Sequence, residues 1–153
     1  MRHVKVAVAV SMALIVVVGW KPFQKFRLDR EVDRLCAIDG GVHIYETVTL
    51  PKENFGPDGE VFPQFRHLFK QGGHLGPDFK STLSREVLVA GDPQLVKSQI
   101  QILRTSDGKL LGQQINYARG GGDLPGPWNP STHQCRQVIY STTPLRNIFM
   151  KGN

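Results

Sequence analysis

Residues 97–121 decide the fold of this chain; they read KSQIQILRTSDGKLLGQQINYARGG. Two runs of alternating apolar and polar residues flank the pair Asp107-Gly108, which is typical of a tight β-hairpin turn. A two-residue turn at this point would pair Ile100 with Ile115. The sequence therefore predicts an antiparallel hairpin with two distinct faces. The apolar face would carry the isoleucines, Leu111 and Tyr117, and the polar face Gln99, Gln101, Gln114 and Asn116.

Three further segments have the pattern of strands. Residues 42–50 alternate between apolar and polar side chains up to Pro51, which cannot continue a central strand. Residues 86–90 and 137–142 are the other two predicted strands. With one helix packed on the sheet, the predicted fold class is α+β, with a mostly antiparallel sheet of about four to five strands.

The N-terminus has the layout of an export signal. A basic start with Arg2 and Lys5 is followed by 15 apolar or small residues at positions 6–20, as in a secretory signal or signal anchor. Spanning a bilayer takes about 20 helical residues, and the closing tryptophan with Lys21 extends the usable length at the interface. We therefore predict an uncleaved transmembrane anchor over residues 1–20, with cleavage and release to the periplasm as the alternative.

A second, juxtamembrane helix is predicted from Pro22 to Ile38. Proline suits the first turn of a helix and disrupts an interior, so we expect the helix to begin at this proline. Its apolar residues recur at positions i, i+4, i+7 and i+8, which predicts a single buried stripe. Asp39-Gly40-Gly41 would end the helix. The stripe consists of Leu28, Val32, Leu35 and Cys36.

The chain has two cysteines, Cys36 and Cys135, and no CxxC motif. Behind an export signal, such a pair indicates a disulfide in an oxidising compartment. The alternative is a pair of buried free thiols in a cytosolic protein. A disulfide would leave neither sulfur available as a nucleophile.

Residues 51–84 are too long for an ordinary connection and hold five of the eight phenylalanines among glycines and prolines. We expect a structured excursion with a short helix over residues 63–70. Its aromatic content predicts an exposed surface that contacts a partner protein. The phenylalanines of this predicted contact loop are Phe55, Phe62, Phe65, Phe69 and Phe79.

One set of residues is a candidate ligand or substrate site. Glu46 falls on the otherwise apolar face of its predicted strand, where a carboxylate is an acid or base with a raised pKa, lies at a sheet edge, or pairs with an arginine. Tyr45 and Arg119 complete the candidate site. No catalytic residue, metal or cofactor is predicted, because the chain has no GxSxG, HExxH or GxxxxGK motif. The histidines also lack metal-ligand spacing; they include His43, His67, His74 and His133.

The charge of the chain raises the question of nucleic-acid binding. The net charge is +6, and removing Arg2 and Lys5 leaves +4 spread over the remainder without a basic run. A surface that binds the phosphate backbone of a nucleic acid concentrates its positive charge on one structural element. We therefore expect no nucleic-acid partner. Four basic residues after the apolar run are instead placed to meet anionic lipid head groups. They are Lys21, Lys25, Arg27 and Arg30.

Three blocks of the sequence stand out: CAIDGGVHIYETVTLP from Cys36, RTSDGKLLGQQINYARGGGD from Arg104, and PSTHQC ending at Cys135. In this order they resemble blocks of an uncharacterised family of small Gram-negative envelope proteins. The family has an N-terminal hydrophobic segment, a Cys-x-x-Asp-Gly-Gly start and a second cysteine. The resemblance covers most of residues 36–135 and implies a cell-envelope setting without implying an activity. It is carried by Cys36, Asp39, Gly40, Gly41, Tyr45, Glu46, Asp107, Gly108, Tyr117, Arg119 and Cys135.

These observations predict a noncatalytic, membrane-anchored envelope protein. Residues 1–20 would anchor it in the inner membrane, and residues 21–153 would form a periplasmic domain that contacts another envelope protein. The alternative is a small-ligand binder or an enzyme, which requires Tyr45, Glu46 and Arg119 to converge in one pocket.

Overall fold

The computed structural model describes residues 2–57, 74–75, 78–124, 126–127, 129–136 and 148–152, with no side chains described at 2–19 and 74–75. Its elements are α1 (Arg2–Ile38), β1 (Gly41–Ile44), β2 (Val48–Leu50), a 3-10 turn (Lys52–Asn54), β3 (His74–Leu75), β4 (Phe79–Val89), β5 (Gln94–Arg104), β6 (Leu110–Gly120), β7 (Thr132–Gln134) and β8 (Phe149–Lys151).

The predicted α+β class with a mostly antiparallel sheet is confirmed. The main sheet has the strand order β1-β6-β5-β4-β3, and β7 pairs with the same edge of β6 as β1 does, further along the strand. All pairs in this sheet are antiparallel. A second sheet, formed by β2 and β8, is parallel. The helix α1 packs against β6 and β7.

The β5–β6 hairpin is confirmed, but its predicted register is wrong by one residue. Ile100 lies opposite Gln114, and Gln99 lies opposite Ile115. A slip of one residue exchanges the faces of a strand. Gln99 therefore shares its face with Gln113 and donates from Nε2 to Oε1 of that residue at 2.7 Å. The glutamines predicted to lie together are divided between the two faces.

The turn of this hairpin explains the slip. It is wider than two residues, because the Arg104 N–H donates to the Lys109 carbonyl at 2.9 Å. Gly108 adopts a φ of 68°, the left-handed conformation that closes turns of this longer kind. An irregularity between Ile102 and Leu103 then shifts the pairing by one residue.

The strand predicted over residues 42–50 is divided into β1 and β2. The N–H groups of Tyr45 and Glu46 both donate to the Leu111 carbonyl, at 2.8 and 3.1 Å. Two successive donors on one acceptor end the regular pairing with β6. The chain then leaves the main sheet, and β2 pairs with β8. Val48 and Leu50 of β2 pack against the core, whereas Ile44 at the end of β1 is 38% exposed, so the predicted apolar face is buried mainly in its second half.

The prediction that a separate helix begins at Pro22 is wrong. Helix α1 is continuous from Arg2 and contains this proline. A proline inside a helix removes one backbone hydrogen bond and commonly kinks or breaks the helix. Here Lys21 and Lys25, on either side of it, are held by acidic partners from loops at the ends of the strands, Asp92 and Asp123. These contacts hold the helical turns on both sides in place.

The predicted apolar stripe and the predicted end of α1 are confirmed. Leu28 and Val32 are buried, and the rest of the stripe packs against them. After Ile38 the chain passes through Gly40, where an added Cβ would lie 2.6 Å from the Cys36 Cα and 3.0 Å from the Cys135 Sγ. Only glycine therefore fits between the helix end and the disulfide.

The described core consists of two apolar clusters. One lies between α1 and the main sheet, and the other lies where the two sheets meet. The first contains Leu28, Val32, Leu95, Ile115, Tyr117 and Cys135. The second contains Phe55, Phe79, Ile102, Leu111, Ile148 and Phe149.

Two phenylalanines of the predicted contact loop are core residues and are not on an exposed surface. Phe55 and Phe79 are both buried, and the Phe79 ring meets Phe149 edge to face with 5.1 Å between centroids. The predicted strand over 86–90 forms the last part of β4, which continues only to Val89. Outside the described residues lie Phe62, Phe65, Phe69, the predicted helix over 63–70 and the predicted strand over 137–142.

Candidate functional site

Four side chains spaced four residues apart along α1 each meet a side chain of the sheet or its loops; three form ion pairs, and Asp33 contacts His133. We call this set the salt-bridge row. Residues four apart lie on one face of a helix, and the first two are basic while the last two are acidic. A shift of one helical turn would bring Lys25 to Arg119 or Asp29 to Asp123, so the row fixes the position of the helix. Its pairs are Lys21–Asp92 at 2.8 Å, Lys25–Asp123 at 2.5 Å, Asp29–Arg119 at 2.7 Å and Asp33–His133 at 2.8 Å.

Arg119 is the buried member of the row, with a side chain only 3% exposed. Its Nε donates to Asp29 Oδ1 at 2.7 Å. Its Nη1 donates to the Gly121 carbonyl at 2.9 Å and to the Ser131 carbonyl at 2.7 Å. Through these hydrogen bonds, the Arg119 guanidinium connects α1, the end of β6 and the segment before β7.

Asp123 receives several hydrogen bonds from this region. Lys25 Nζ donates to Oδ1, and the Ser131 N–H donates to Oδ2 at 2.6 Å. The Lys25 contact, followed by the Ser131 bonds, holds the pKa of the Asp123 carboxyl far below its usual range. The carboxylate is therefore ionised wherever the domain is folded at ordinary pH.

We expect Asp123→Asn to remove a pH-dependent part of the stability. A lowered pKa in the folded state stabilises it above the unfolded pKa of about 3.9, and this stabilisation is lost as the pH falls. Urea unfolding of the full chain should give a difference between wild type and variant that is constant above about pH 5 and shrinks below about pH 4. Lys25→Met removes the first cause of the lowering and should weaken the same pH dependence. Identical pH profiles for wild type and Asp123→Asn would contradict this expectation.

The predicted disulfide is present in the structure. Cys36, in the last turns of α1, is bonded to Cys135, which follows β7, with 5.5 Å between their Cα atoms. The Tyr117 N–H donates to the Cys135 sulfur at 3.4 Å. The bridge therefore ties the C-terminal end of the helix to the strand beside β6.

A polar cluster that sequence reasoning missed lies next to the disulfide. The Tyr117 hydroxyl donates to Asp39 at 2.8 Å, and Lys97 Nζ lies 3.6 Å from the same carboxylate. Burial, followed by the bond to Asp39, raises the pKa of Tyr117, and the contact with Tyr117 raises the pKa of Lys97. Both groups therefore keep their protons. From the sequence, Asp39 is predicted to end the helix and is one of the residues that carry the resemblance, but its contacts with Tyr117 and Lys97 are not predicted.

Glu46 forms an ion-pair cluster at the other end of β6. Its carboxylate contacts Arg104 and Lys109, and Arg104 also contacts Asp107 at 3.0 Å. The hydrogen bond from Lys109, followed by that from Arg104, lowers the pKa of Glu46. Among the alternatives predicted for this carboxylate, the pair with an arginine is observed. A raised pKa is not.

Tyr45 and Glu46, which are neighbours in the sequence, lie at one end of β6, and Arg119 lies near the other end. The Tyr45 hydroxyl accepts a hydrogen bond from Gln113 Nε2 at 2.7 Å. Leu111, whose carbonyl binds both neighbouring amides, is eight residues before Arg119 on β6, a distance of about 26 Å along a strand. The three candidate residues therefore have separate partners at opposite ends of β6.

Two of the surface cavities lined by described residues adjoin α1, and neither of these includes the three candidate residues. One, of about 190 Å³, adjoins the disulfide. The other, of about 310 Å³, adjoins the Lys25–Asp123 pair. The first is lined by Asp33, Cys36, Ala37, Gly40, Cys135 and Arg136. The second is lined by Pro22, Lys25, Gly122, Asp123 and Leu124.

The described histidines have partners within the protein. His43 Nε2 lies 2.9 Å from the Asp39 carbonyl oxygen, and His133 pairs with Asp33. His67 and the side chain of His74 lie outside the described part of the chain. Among the side chains that are described, no group of three or more histidine, cysteine or acidic residues is arranged to hold a metal ion.

The outer side of α1 carries exposed aromatic rings and arginines, which we call the aromatic-basic face. The rings are 56 to 60% exposed, and the Arg30 guanidinium lies 5.5 Å from the centroid of Phe26. Lys21 and Lys25, predicted to face lipid as well, instead belong to the salt-bridge row on the opposite side. The aromatic-basic face consists of Trp20, Phe23, Phe26, Arg27 and Arg30.

Within the described residues, no helix is both long enough and apolar enough to cross a membrane. The chain matches no protein-family model, no curated protein and no solved structure.

Proposed function

We propose that the chain is a noncatalytic, membrane-anchored protein of a Gram-negative cell envelope that acts through protein contacts. Residues 1–20 serve as the anchor, and the disulfide-bonded domain of residues 21–153 faces the periplasm. Release to the periplasm after cleavage is the alternative, and the intact mass of the mature protein distinguishes the two.

The aromatic-basic face is the observation that carries this proposal. It begins at Trp20, the last residue of the apolar run, and lies on the exposed side of α1, opposite the salt-bridge row. Tryptophan and other aromatic rings favour the membrane interface, and each arginine near an anionic surface contributes about 1 kcal/mol of attraction. On the opposite side, Lys21 and Lys25 neutralise Asp92 and Asp123. The negative charges of these two loop carboxylates are therefore balanced by the lysines of the helix.

The disulfide of the domain supports the proposed location in the periplasm. Disulfides persist in oxidising compartments such as the periplasm, and Cys36 and Cys135 are bonded to each other. The resemblance to Gram-negative envelope proteins supports the same location. In freshly quenched cells, both thiols should resist alkylation until a reductant is added. Alkylation without reductant would contradict the periplasmic placement.

The depth of Trp20 tests the anchor directly. We expect the full chain carrying Trp128→Phe, reconstituted in phosphatidylglycerol vesicles, to show Trp20 emission quenched by bromine atoms placed high on the lipid acyl chains. Bromines at the bilayer centre should quench less, because an interfacial ring stays near the head groups. The matched variant Trp20→Phe reports the other tryptophan of the chain. Quenching of Trp20 by aqueous acrylamide alone would contradict the anchor.

A further inference from the structure

The basic residues of α1 between positions 20 and 38 differ in whether a carboxylate neutralises them. Lys21 and Lys25 pair with acidic side chains in the salt-bridge row. Arg34 donates from Nε and Nη2 to the two carboxylate oxygens of Glu31, at 2.9 and 2.7 Å. Three of the five basic residues in this stretch are therefore neutralised within the protein.

Arg27 and Arg30 are the two basic residues of this stretch without such a partner. Both are exposed, and among the described side chains no carboxylate forms an ion pair with either of them. The Arg30 guanidinium instead lies 5.5 Å from the centroid of the Phe26 ring. The aromatic-basic face therefore carries two positive charges that the described part of the protein does not balance. The acidic residues of the same stretch are engaged elsewhere; they are Asp29, Glu31 and Asp33.

The spacing of the two arginines suits an anion. Residues three apart on a helix are neighbours, with Cβ atoms about 5 to 6 Å from each other. Like charges this close destabilise the helix, and an anion bound between them removes the repulsion. Arginine N–H groups bind phosphate oxygens in pairs. Arg27 and Arg30 therefore have the chemistry and the spacing of a phosphate site.

The rings of the aromatic-basic face indicate which kind of phosphate compound fits. Phe23 lies four residues before Arg27, and both rings of this part of the helix are 60% exposed. Phe26 lies four residues before Arg30. Each ring is therefore one helical turn nearer the apolar run than the arginine that follows it. Apolar run, rings and guanidinium groups follow one another along α1 as hydrocarbon, interface and phosphate do across a lipid leaflet.

We propose that Arg27 and Arg30 together bind the phosphate group of an anionic phospholipid, while Phe23 and Phe26 contact its glycerol and upper acyl chains. This inference rests on the membrane anchor of the proposed function and adds selectivity for a lipid head group. Side chains of a helix lean toward its N-terminus, which here is the membrane side. A phospholipid covers both the rings and the charges of the face, whereas a soluble phosphate compound would leave the rings exposed.

Quenching of Trp20 by brominated lipids with two different head groups tests this site. The full chain carrying Trp128→Phe is reconstituted in phosphatidylcholine vesicles that contain a minor fraction of phosphatidylglycerol. Bromine atoms are placed high on the acyl chains of either the phosphatidylglycerol or an equal amount of the phosphatidylcholine. We expect stronger quenching by the brominated phosphatidylglycerol, because a lipid held at Arg27 has its acyl chains beside Trp20.

Substitutions on α1 assign the selectivity to the two arginines. Arg27→Gln and Arg30→Gln should each raise, about fivefold, the fraction of brominated phosphatidylglycerol that gives half-maximal quenching. With both substitutions, the two brominated lipids should quench equally. The matched control is the double variant Glu31→Gln with Arg34→Gln, which removes a neutral ion pair from the same helix and should keep the preference. Unchanged urea midpoints verify that the exposed substitutions leave the domain folded.

Each other outcome overturns a stated part of the proposal. Equal quenching by the two brominated lipids in the parent chain would overturn the phosphate site and leave the anchor in place. Quenching by neither lipid would overturn the anchor and this site with it. A preference that persists without both arginines would overturn their assignment. The same loss in the control variant would overturn the distinction between paired and unpaired arginines.

Discussion

Loss of the Cys36–Cys135 disulfide is expected to lower the free energy of unfolding by about 4 to 5 kcal/mol. The bond closes a loop of 99 residues, and cross-linking a loop of this length removes much of the conformational freedom of the unfolded chain. Small domains are stable by only about 5 to 15 kcal/mol. We therefore expect the doubly substituted chain, Cys36→Ala with Cys135→Ala, to be largely unfolded at temperatures that the wild type tolerates.

Urea unfolding of the full chain in detergent, followed by circular dichroism, measures this effect. Wild type treated with reductant should match the double variant, because both lack the same bond. The exposed pair Glu31–Arg34 on the same helix supplies a control, and Arg34→Ala should leave the unfolding midpoint nearly unchanged, because exposed ion pairs contribute little to stability. Equal midpoints for the oxidised and reduced wild type would show that the disulfide contributes little.

Asp29→Ala is expected to destabilise the domain by about 3 to 5 kcal/mol. The carboxylate of Asp29 is the charged partner of Arg119, whose side chain is nearly fully buried. Removing it leaves a buried guanidinium with only carbonyl and hydroxyl acceptors. A buried charge without its counter-charge is costly, because the protein interior replaces water poorly as a solvent for ions.

A double-mutant cycle separates this cost from the loss of side-chain contacts. Arg119→Met removes the buried charge and keeps much of the volume. The double variant of Asp29→Ala and Arg119→Met should be more stable than Asp29→Ala alone, because no unpaired charge remains. Unfolding midpoints by urea give the coupling free energy. Additive effects of the two substitutions would show that the ion pair is not coupled.

Local patterns were sufficient for the elements whose partners are near in sequence or whose burial is periodic. The apolar stripe around Leu28 and Val32 follows from helical spacing, and the β5–β6 hairpin follows from alternation around Asp107-Gly108. The register required the width of the turn and the irregularity after Ile102. Both depend on backbone conformations that the alternation does not encode.

The polar partners could not be predicted, because they depend on contacts distant in sequence. Arg119 meets Asp29 across 90 positions, and Tyr117 meets Asp39 across 78. Nothing in the local sequence around Arg119 distinguishes a buried structural arginine from an exposed one. The separation of this residue from Glu46 likewise follows from the strand order and the length of β6.

The position of the two cysteines has a consequence for how the chain matures. Cys36 belongs to the first quarter of the chain and Cys135 to the last, and there is no third cysteine. Two thiols within one chain can be joined in only one way, so intramolecular oxidation has a single product. Maturation of the monomer therefore requires an oxidant but no disulfide isomerase. The covalent bond also cannot form until Cys135, 99 positions after Cys36, has been synthesised and both thiols meet an oxidant.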